Sequence, residues 1–208
     1  AEKFPSISVD MMEAVDKGDA AQFSEEEILE PTDWVLMNFI MDARTGLGRF
    51  RDFKISNYQL MMKLIDACKD HSIEEILEME DVAERVALYH EHNELAKVQL
   101  AKCATVHKNL VVLDLTEEET IYATNRFVIY AMYSDCNISI HKMWGLKKQN
   151  VVFAIGKSIT NRTSNTNVGE LCLKYGGGGH LNAGTCQVET SRAEAVLDEI
   201  IDTITSDG

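Results

Sequence analysis

The apolar positions in the first half of the chain recur at helical spacing. They do so in residues 9–15 (VDMMEAV), 33–43 (DWVLMNFIMDA) and 57–68 (NYQLMMKLIDAC). Serine followed by acidic or amide residues predicts helix starts at Ser24, Ser56 and Ser72, because a serine hydroxyl accepts from an unpaired amide of the first helical turn. The first part of the chain is therefore predicted to be helical.

A long stretch from Asp81 to about Lys108 contains neither Gly nor Pro. Its apolar residues predict one helix, which would be about 40 Å long at 1.5 Å per residue. A helix of that length often connects two lobes.

After residue 108 the spacing of apolar positions changes. Four β-type runs, 109–115, 137–144, 150–159 and 183–189, alternate with helical patterns at 167–175 and 191–204, the last capped by Ser191. Residues 123–133 (ATNRFVIYAMY) fit either a helix or a strand. The prediction is an α/β fold, α+β overall, with a helical N-terminal segment (1–80), a long linking helix (81–108) and a C-terminal mixed β-sheet flanked by helices (109–208).

The composition is that of a globular protein, with 45% hydrophobic and 26% charged residues. No apolar run approaches the roughly 18 residues that a membrane span needs, and the first ten residues do not resemble a secretion signal. Five cysteines without a CxxC spacing indicate reduced core residues of a cytoplasmic protein.

The formal net charge is −14, yet residues 138–188 contain six basic residues and the single acid Glu170. A basic island on an acidic chain is typical of a binding site for a small anion. Chance segregation of charge along the chain is the alternative.

Four consecutive glycines, Gly176–Gly179, precede His180 in the stretch YGGGGHLNAG. Without Cβ atoms, successive amides can turn towards one oxyanion, and the imidazole of His180 can donate to the same group. The alternative is a flexible connecting loop.

The stretch SITNRTSNTN, residues 158–167, directly follows a predicted strand and surrounds Arg162 with hydroxyl and amide groups. The planar guanidinium of arginine suits the oxygens of a phosphate. Asn165 or Asn167 is also expected to cap the following helix. Together the two stretches predict a site for a phosphate-containing substrate.

The sequence from VVFAIGKSITNRTSNTN to YGGGGHLNAG resembles the C-terminal signature of the DHH phosphoesterase superfamily. That superfamily includes RecJ-like exonucleases, nanoRNases, cyclic-dinucleotide phosphodiesterases and exopolyphosphatase-related proteins. The resemblance implies that Arg162, His180 and the backbone of Gly176–Gly179 hold the phosphate of the substrate, assisted by Ser164 and Asn165. The implied substrate is a nucleotide, a short oligonucleotide or a polyphosphate.

The resemblance also implies hydrolysis with paired Mn²⁺ or Mg²⁺ ions, held by a D-x-D pair and a DHH triplet in an N-terminal domain. This sequence contains neither motif, so residues 1–80 are expected to be the helical remainder of that catalytic domain, and the chain is expected to hold no metal tightly. Residues 13–23 resemble the last metal-binding motif, with Asp16 as the candidate ligand and Asp19 as the alternative. A solvated helix acid is an equal alternative.

Two further motifs have ordinary explanations. YHEHNE, residues 89–94, places two histidines two positions apart, which do not converge on a helix, and a solvated face is expected. RTGLGRFR, residues 44–51, could reach a phosphate but is more typical of a basic turn at a helix end.

The sequence therefore indicates the C-terminal portion of a DHH-type phosphoesterase, inactive alone. The rivals are a nucleotide-binding or RNA-binding module without chemistry and a lobe like the C-terminal part of alanyl-tRNA synthetases. No membrane partner is expected, and Met-rich helices are compatible with a homodimer.

Overall fold

The structure is a computed structural model that describes residues 8–50 and 52–208 and divides the chain into two compact units. The first unit contains the described residues up to Lys97 together with Tyr122–Val128. The second contains Val98–Ile121 and Ile129–Gly208.

The first unit is helical throughout its regular structure in the described residues. Its helices are α1 (Val9–Ala20), α2 (Glu25–Leu29), α3 (Asp33–Met41), α4 (Asn57–Asp70), α5 (Ile73–Glu78) and the first part of α6 (Glu80–Cys103). No helix in the described part of the chain is long and apolar enough to cross a membrane.

Local capping sets the starts of three of these helices. The predicted caps Ser24, Ser56 and Ser72 each accept a hydrogen bond from the third residue of the helix, whose own side chain accepts from the amide of the serine. This reciprocal arrangement satisfies two amides that the first turn would otherwise leave unpaired.

Residues 122–128 lie in the first unit because their polar groups are bonded there. The Asn125 side-chain nitrogen donates to the Ile28 carbonyl at 2.8 Å and to the Tyr89 hydroxyl at 3.0 Å. The His92 Nδ1 accepts the Ala123 amide at 3.2 Å. His92 is thus buried and not on the solvated face expected for YHEHNE, and its burial lowers the pKa of its imidazole.

The second unit is a six-stranded mixed sheet with helices. Its elements are the end of α6, β1 (Ala104–His107), β2 (Leu110–Asp114), α7 (Val128–Met132, which begins in the first unit), β3 (Ile138–Trp144), β4 (Val151–Lys157), α8 (Val168–Lys174), β5 (Gly178–His180), β6 (Ala183–Val188) and α9 (Ala193–Asp207). The strand order is β1-β2-β3-β4-β6-β5, with β2 and β3 parallel and the other pairs antiparallel. The predicted fold class is confirmed.

One face of this sheet forms the core of the second unit. Ile140 of β3 lies opposite Ile155 of β4, and both belong to a buried cluster that α8 and α9 complete. From α9 the cluster takes Val196 and Ile200 on one stripe of the helix. The run 150–159, predicted as a strand, forms β4, whose alternate residues are buried.

Two local predictions were wrong. The long helix ends at Cys103 and not near Lys108, because residues 104–107 pair with β2 and extended pairing outweighs their helical pattern. The last helix is not capped by Ser191, since a 3-10 turn over Thr190–Arg192 precedes it and Arg192 occupies the cap position. The end of the glycine run forms strand β5, so the alternative of a flexible connecting loop does not hold for Gly178–His180.

Candidate phosphate-binding site

The first two glycines of the run end helix α8. Gly176 has a φ of +76°, and its amide donates to the Leu173 carbonyl at 3.1 Å, while the Gly177 amide donates to the Cys172 carbonyl at 3.0 Å. This pair of bonds is the Schellman arrangement, which satisfies carbonyls at the end of a helix. The amides of Gly176 and Gly177 are therefore bonded within the chain and are not available to a phosphate in this conformation.

Gly169, Gly177 and Gly184 let α8 and the residues after it approach strands β5 and β6 closely. A Cβ atom on Gly177 would lie 2.1 Å from the Thr185 carbonyl oxygen, and one on Gly184 would lie 2.9 Å from the Cys172 Sγ. A Cβ atom on Gly169 would lie 2.9 Å from the Gly179 oxygen. These glycines allow α8 to pack directly against β5 and β6, so packing explains part of the run.

His180 lies on the exposed edge strand β5. It is opposite Ala183 of β6, which is opposite Gly156 of β4, so the three residues form one row across the sheet. Two strand spacings place the Cα atoms of His180 and Gly156 about 10 Å apart. Successive strand residues direct their backbone groups to opposite sides, so only one of the Gly178 and Gly179 amides can point away from β6.

Residues 158–167, called here the Arg162 loop, begin and end beside the turn that follows His180. Just before the loop, the Lys157 amide donates to the Asn182 carbonyl at 2.9 Å, and just after it the Val168 amide donates to the Leu181 carbonyl at 3.2 Å. Arg162 is exposed, and its Nε donates to the Ile159 carbonyl at 2.9 Å. The fold thus brings the loop that carries Arg162 and the turn after His180 to the same edge of the second unit.

Of the two residues expected to assist in phosphate binding, Ser164 is buried and Asn165 is hydrogen-bonded to the end of α9. The Ser164 hydroxyl is buried without a hydrogen-bond partner among the described residues, so it would have to rotate about χ1 to reach a ligand. The Asn165 side-chain nitrogen donates to the Asp207 carbonyl at 3.1 Å. Asn167, the other predicted cap, caps α8 by accepting the Glu170 amide. The direct roles of Ser164 and Asn165 stay predictions.

The basic island of the sequence is not one patch. Lys142 is buried and bonded to Glu194 at 2.6 Å and Asp114 at 2.9 Å. Its burial acts to lower the pKa of its ammonium group, but these two partners outweigh it and raise the pKa. Lys147 and Lys148 lie in the β3–β4 connection, at the end of β4 away from the Arg162 loop.

Lys157 is a candidate that the sequence reasoning did not single out. It ends β4, is half-buried, and its Nζ donates to the Ser164 carbonyl at 3.1 Å. Its ammonium group therefore adds positive charge beside the Arg162 loop. The signal was present in the sequence, because a lysine stands between the buried strand and the loop.

The roles of Asp16 and Asp19 as metal ligands stay predictions. Asp16 and Asp19 are exposed on α1. Within residues 8–50 and 52–208, no group of three or more His, Cys, Asp or Glu side chains could hold a metal ion. Mn²⁺ and Mg²⁺ usually need several oxygen ligands, so the residues described here do not fit a tightly bound divalent ion.

The basic motif at residues 44–51 forms two 3-10 turns after α3, with Gly46 between them at a φ of +88°. Arg44 Nε is bonded to Asp42 at 2.7 Å, and burial lowers the pKa of Arg49. Arg51 lies outside the described residues. The two 3-10 turns agree with the interpretation of this motif as a turn at a helix end.

Among solved structures, the chain is similar to the pGpG-specific phosphodiesterase PggH from Vibrio cholerae, with 62% sequence identity and a TM-score of 0.90. The match covers 96% of this chain and 67% of that protein, so the chain spans about two thirds of its length. No protein-family model and no curated protein matches the chain.

Two more distant structures share the fold. One is the DHH domain of a member of the s1p family of ribosomal proteins, with 12% identity, a TM-score of 0.52 and coverage of 92% of this chain and 48% of that one. The other is CDC45 from Entamoeba histolytica, with 10% identity, a TM-score of 0.51 and coverage of 81% and 38%. Together with the close similarity to PggH and the Gly-His motif in β5, these findings show that the chain belongs to the DHH phosphoesterase superfamily, as a C-terminal portion.

Proposed function

We propose that this chain is the substrate-binding part of a phosphodiesterase that hydrolyses the dinucleotide pGpG. In this proposal the second unit holds a phosphate of the substrate through Arg162, His180 and the outward-facing amide of Gly178 or Gly179. Lys157 adds positive charge at the same place.

The observation that carries the proposal is the 62% identity to a pGpG-specific phosphodiesterase over 96% of the chain. Geometry supports it independently. Backbone hydrogen bonds on both sides of the Arg162 loop reach the turn at Leu181 and Asn182, next to His180. A phosphate at this edge can therefore meet a guanidinium and an imidazole that the sequence separates by 18 positions.

Charge favours a short substrate over a long polyanion. The chain has a formal net charge of −14, and much of its basic island is distant from the site or neutralised, as at Lys142. An acidic body repels a long polyphosphate or RNA along its length, whereas a dinucleotide needs only one compact basic site.

The residues described here bind and orient but do not supply the hydrolytic step. Hydrolysis in this superfamily would use Mn²⁺ or Mg²⁺ to activate the attacking water. Since the described side chains form no metal cluster, we place the metal ligands in the part of the protein that this sequence does not include. A D-x-D pair and a DHH triplet directly preceding residue 1 in the gene would support this.

The test compares the protein extended to the length of PggH with the present chain alone. With Mn²⁺, the extended protein should convert pGpG to GMP faster than it shortens longer oligoribonucleotides or polyphosphate. The present chain should bind pGpG without turnover. Hydrolysis of polyphosphate in preference to pGpG would overturn the substrate assignment. Metal-dependent turnover by the present chain would overturn the proposal that it binds the substrate without hydrolysing it.

A binding module without chemistry is the second candidate, since among residues 8–50 and 52–208 no cluster of side chains could hold a metal ion. It predicts that the extended protein also binds pGpG without releasing GMP. Product release therefore separates the two candidates directly.

A further inference from the structure

The Arg162 loop is anchored on both sides of Arg162. On the side of β3, the Asn137 side-chain nitrogen donates to the Thr163 hydroxyl at 3.0 Å, and the Ser158 amide donates to the Asn137 carbonyl at 2.8 Å. On the other side, the loop is bonded to the end of helix α9 through Asn165 and Thr166. Arg162 lies between the two anchors in the chain.

The second anchor depends on Asp207, in the last turn of α9. Its carboxylate Oδ2 accepts the Thr166 hydroxyl at 2.9 Å, and its backbone carbonyl accepts the Asn165 side-chain nitrogen at 3.1 Å. The Asn165 amide donates to the carbonyl of Gly208 at 3.1 Å. These donors satisfy carbonyls that the end of a helix leaves without partners.

The anchor joins the loop to a helix that is packed in the core. Val196, Ile200 and Ile204 of this helix are at most 1% exposed, and Thr166 itself is 1% exposed. The hydrogen bond from the buried Thr166 to α9 therefore restricts where the loop can lie relative to the core.

We propose that Asp207 is a positioning residue for the phosphate site. It holds the Arg162 loop in its binding conformation through Thr166 and Asn165 and does not itself contact the substrate. The inference rests on the proposed function, because it assumes that Arg162 meets the phosphate of the substrate.

The expected consequence follows from conformational entropy. An irregular loop that is ordered before binding does not have to be ordered by the ligand, so its anchors improve affinity without touching the ligand. Loss of the Asp207 carboxylate should raise the KM for pGpG about tenfold, which corresponds to about 1.4 kcal/mol. The value of kcat should change little, because no reacting group is altered.

The experiment uses the protein extended to the length of PggH and the variants Asp207→Ala, Asp207→Asn and Thr166→Val. Asp207→Asn keeps an oxygen that can accept the Thr166 hydroxyl, so it should restore most of the affinity. Thr166→Val and Asp207→Ala should be non-additive when combined, because they remove the same bond. Asp202→Ala, on an exposed position of the same helix, is the matched control and should leave the KM unchanged.

Amide hydrogen exchange of residues 158–167 gives a second, independent readout. Faster exchange in Asp207→Ala than in Asp202→Ala supports the inference, and equal exchange overturns it. If wild type hydrolyses pGpG while Asp207→Ala has an unchanged KM, the positioning role is wrong and the proposed function stands. If wild type does not hydrolyse pGpG, the proposed function is wrong, and the exchange rates alone decide the positioning role.

Discussion

Substitutions in the glycine run test which of its glycines are required for close packing. Gly177 and Gly178 are neighbours, yet a Cβ atom on Gly177 would lie 2.1 Å from the Thr185 oxygen, whereas one on Gly178 would meet nothing within 4 Å. Gly177→Ala and Gly178→Ala therefore form a matched pair with the same chemical change.

The magnitudes follow from these contacts. In Gly177→Ala the clash is with backbone atoms of β6, which must move by more than 1 Å to reach the 3.4 Å of ordinary contact. Overpacking of this kind costs about 3 kcal/mol in unfolding free energy. Gly178→Ala should change stability by less than about 1 kcal/mol, and in the stabilising direction, because alanine restricts the unfolded chain. Gly176→Ala should cost about 1 kcal/mol because of its positive φ.

Urea unfolding followed by tryptophan fluorescence measures these differences. A Trp34→Phe background leaves Trp144, which packs against the core of the second unit, as the only reporter. Equal midpoints for Gly177→Ala and Gly178→Ala would refute the packing role of Gly177.

Two further predictions concern His141, which is partly exposed, and the buried Asn125. Burial lowers the pKa of His141 to about 4, so the unfolded state binds its proton first and the unfolding free energy falls as pH decreases from about 6.5 towards 4, by up to about 1.4 kcal/mol per pH unit. His141→Gln should remove this contribution, and unchanged pH dependence of urea unfolding would contradict it. Asn125→Ala should destabilise the first unit by about 2–3 kcal/mol, because it leaves the Ile28 carbonyl and the Tyr89 hydroxyl without their partner. Thermal unfolding measures this loss, and an unchanged midpoint would show that residues 122–128 are not anchored there.

Local signals in the sequence predicted local structure well. The serine caps at Ser24, Ser56 and Ser72 needed only the following three residues, and the β-type run 150–159 needed only the strand itself. Such elements are set by interactions within one helical turn or along one strand.

The features that the sequence did not predict depend on contacts between residues that are distant in the chain. β1 continues a helical pattern and becomes a strand only because β2 pairs with it. The glycine run could not be divided from the sequence alone, since the close approach of Gly177 to Thr185 exists only after β6 has packed. His92 is buried because residues 122–128 return to it, and its local spacing gives no sign of that contact.

The most direct test of the shared phosphate site is a double-mutant cycle of Arg162→Ala and His180→Ala, measured by calorimetric titration with pGpG. Each change should weaken binding by about 1–3 kcal/mol, the usual cost of a lost hydrogen bond to a charged group. In the proposed site both side chains meet one phosphate, so the two losses should couple by at least about 0.5 kcal/mol. Lys148→Ala, in the β3–β4 connection, should leave binding unchanged. Unchanged affinity in both single variants, or losses that simply add, would contradict a common site.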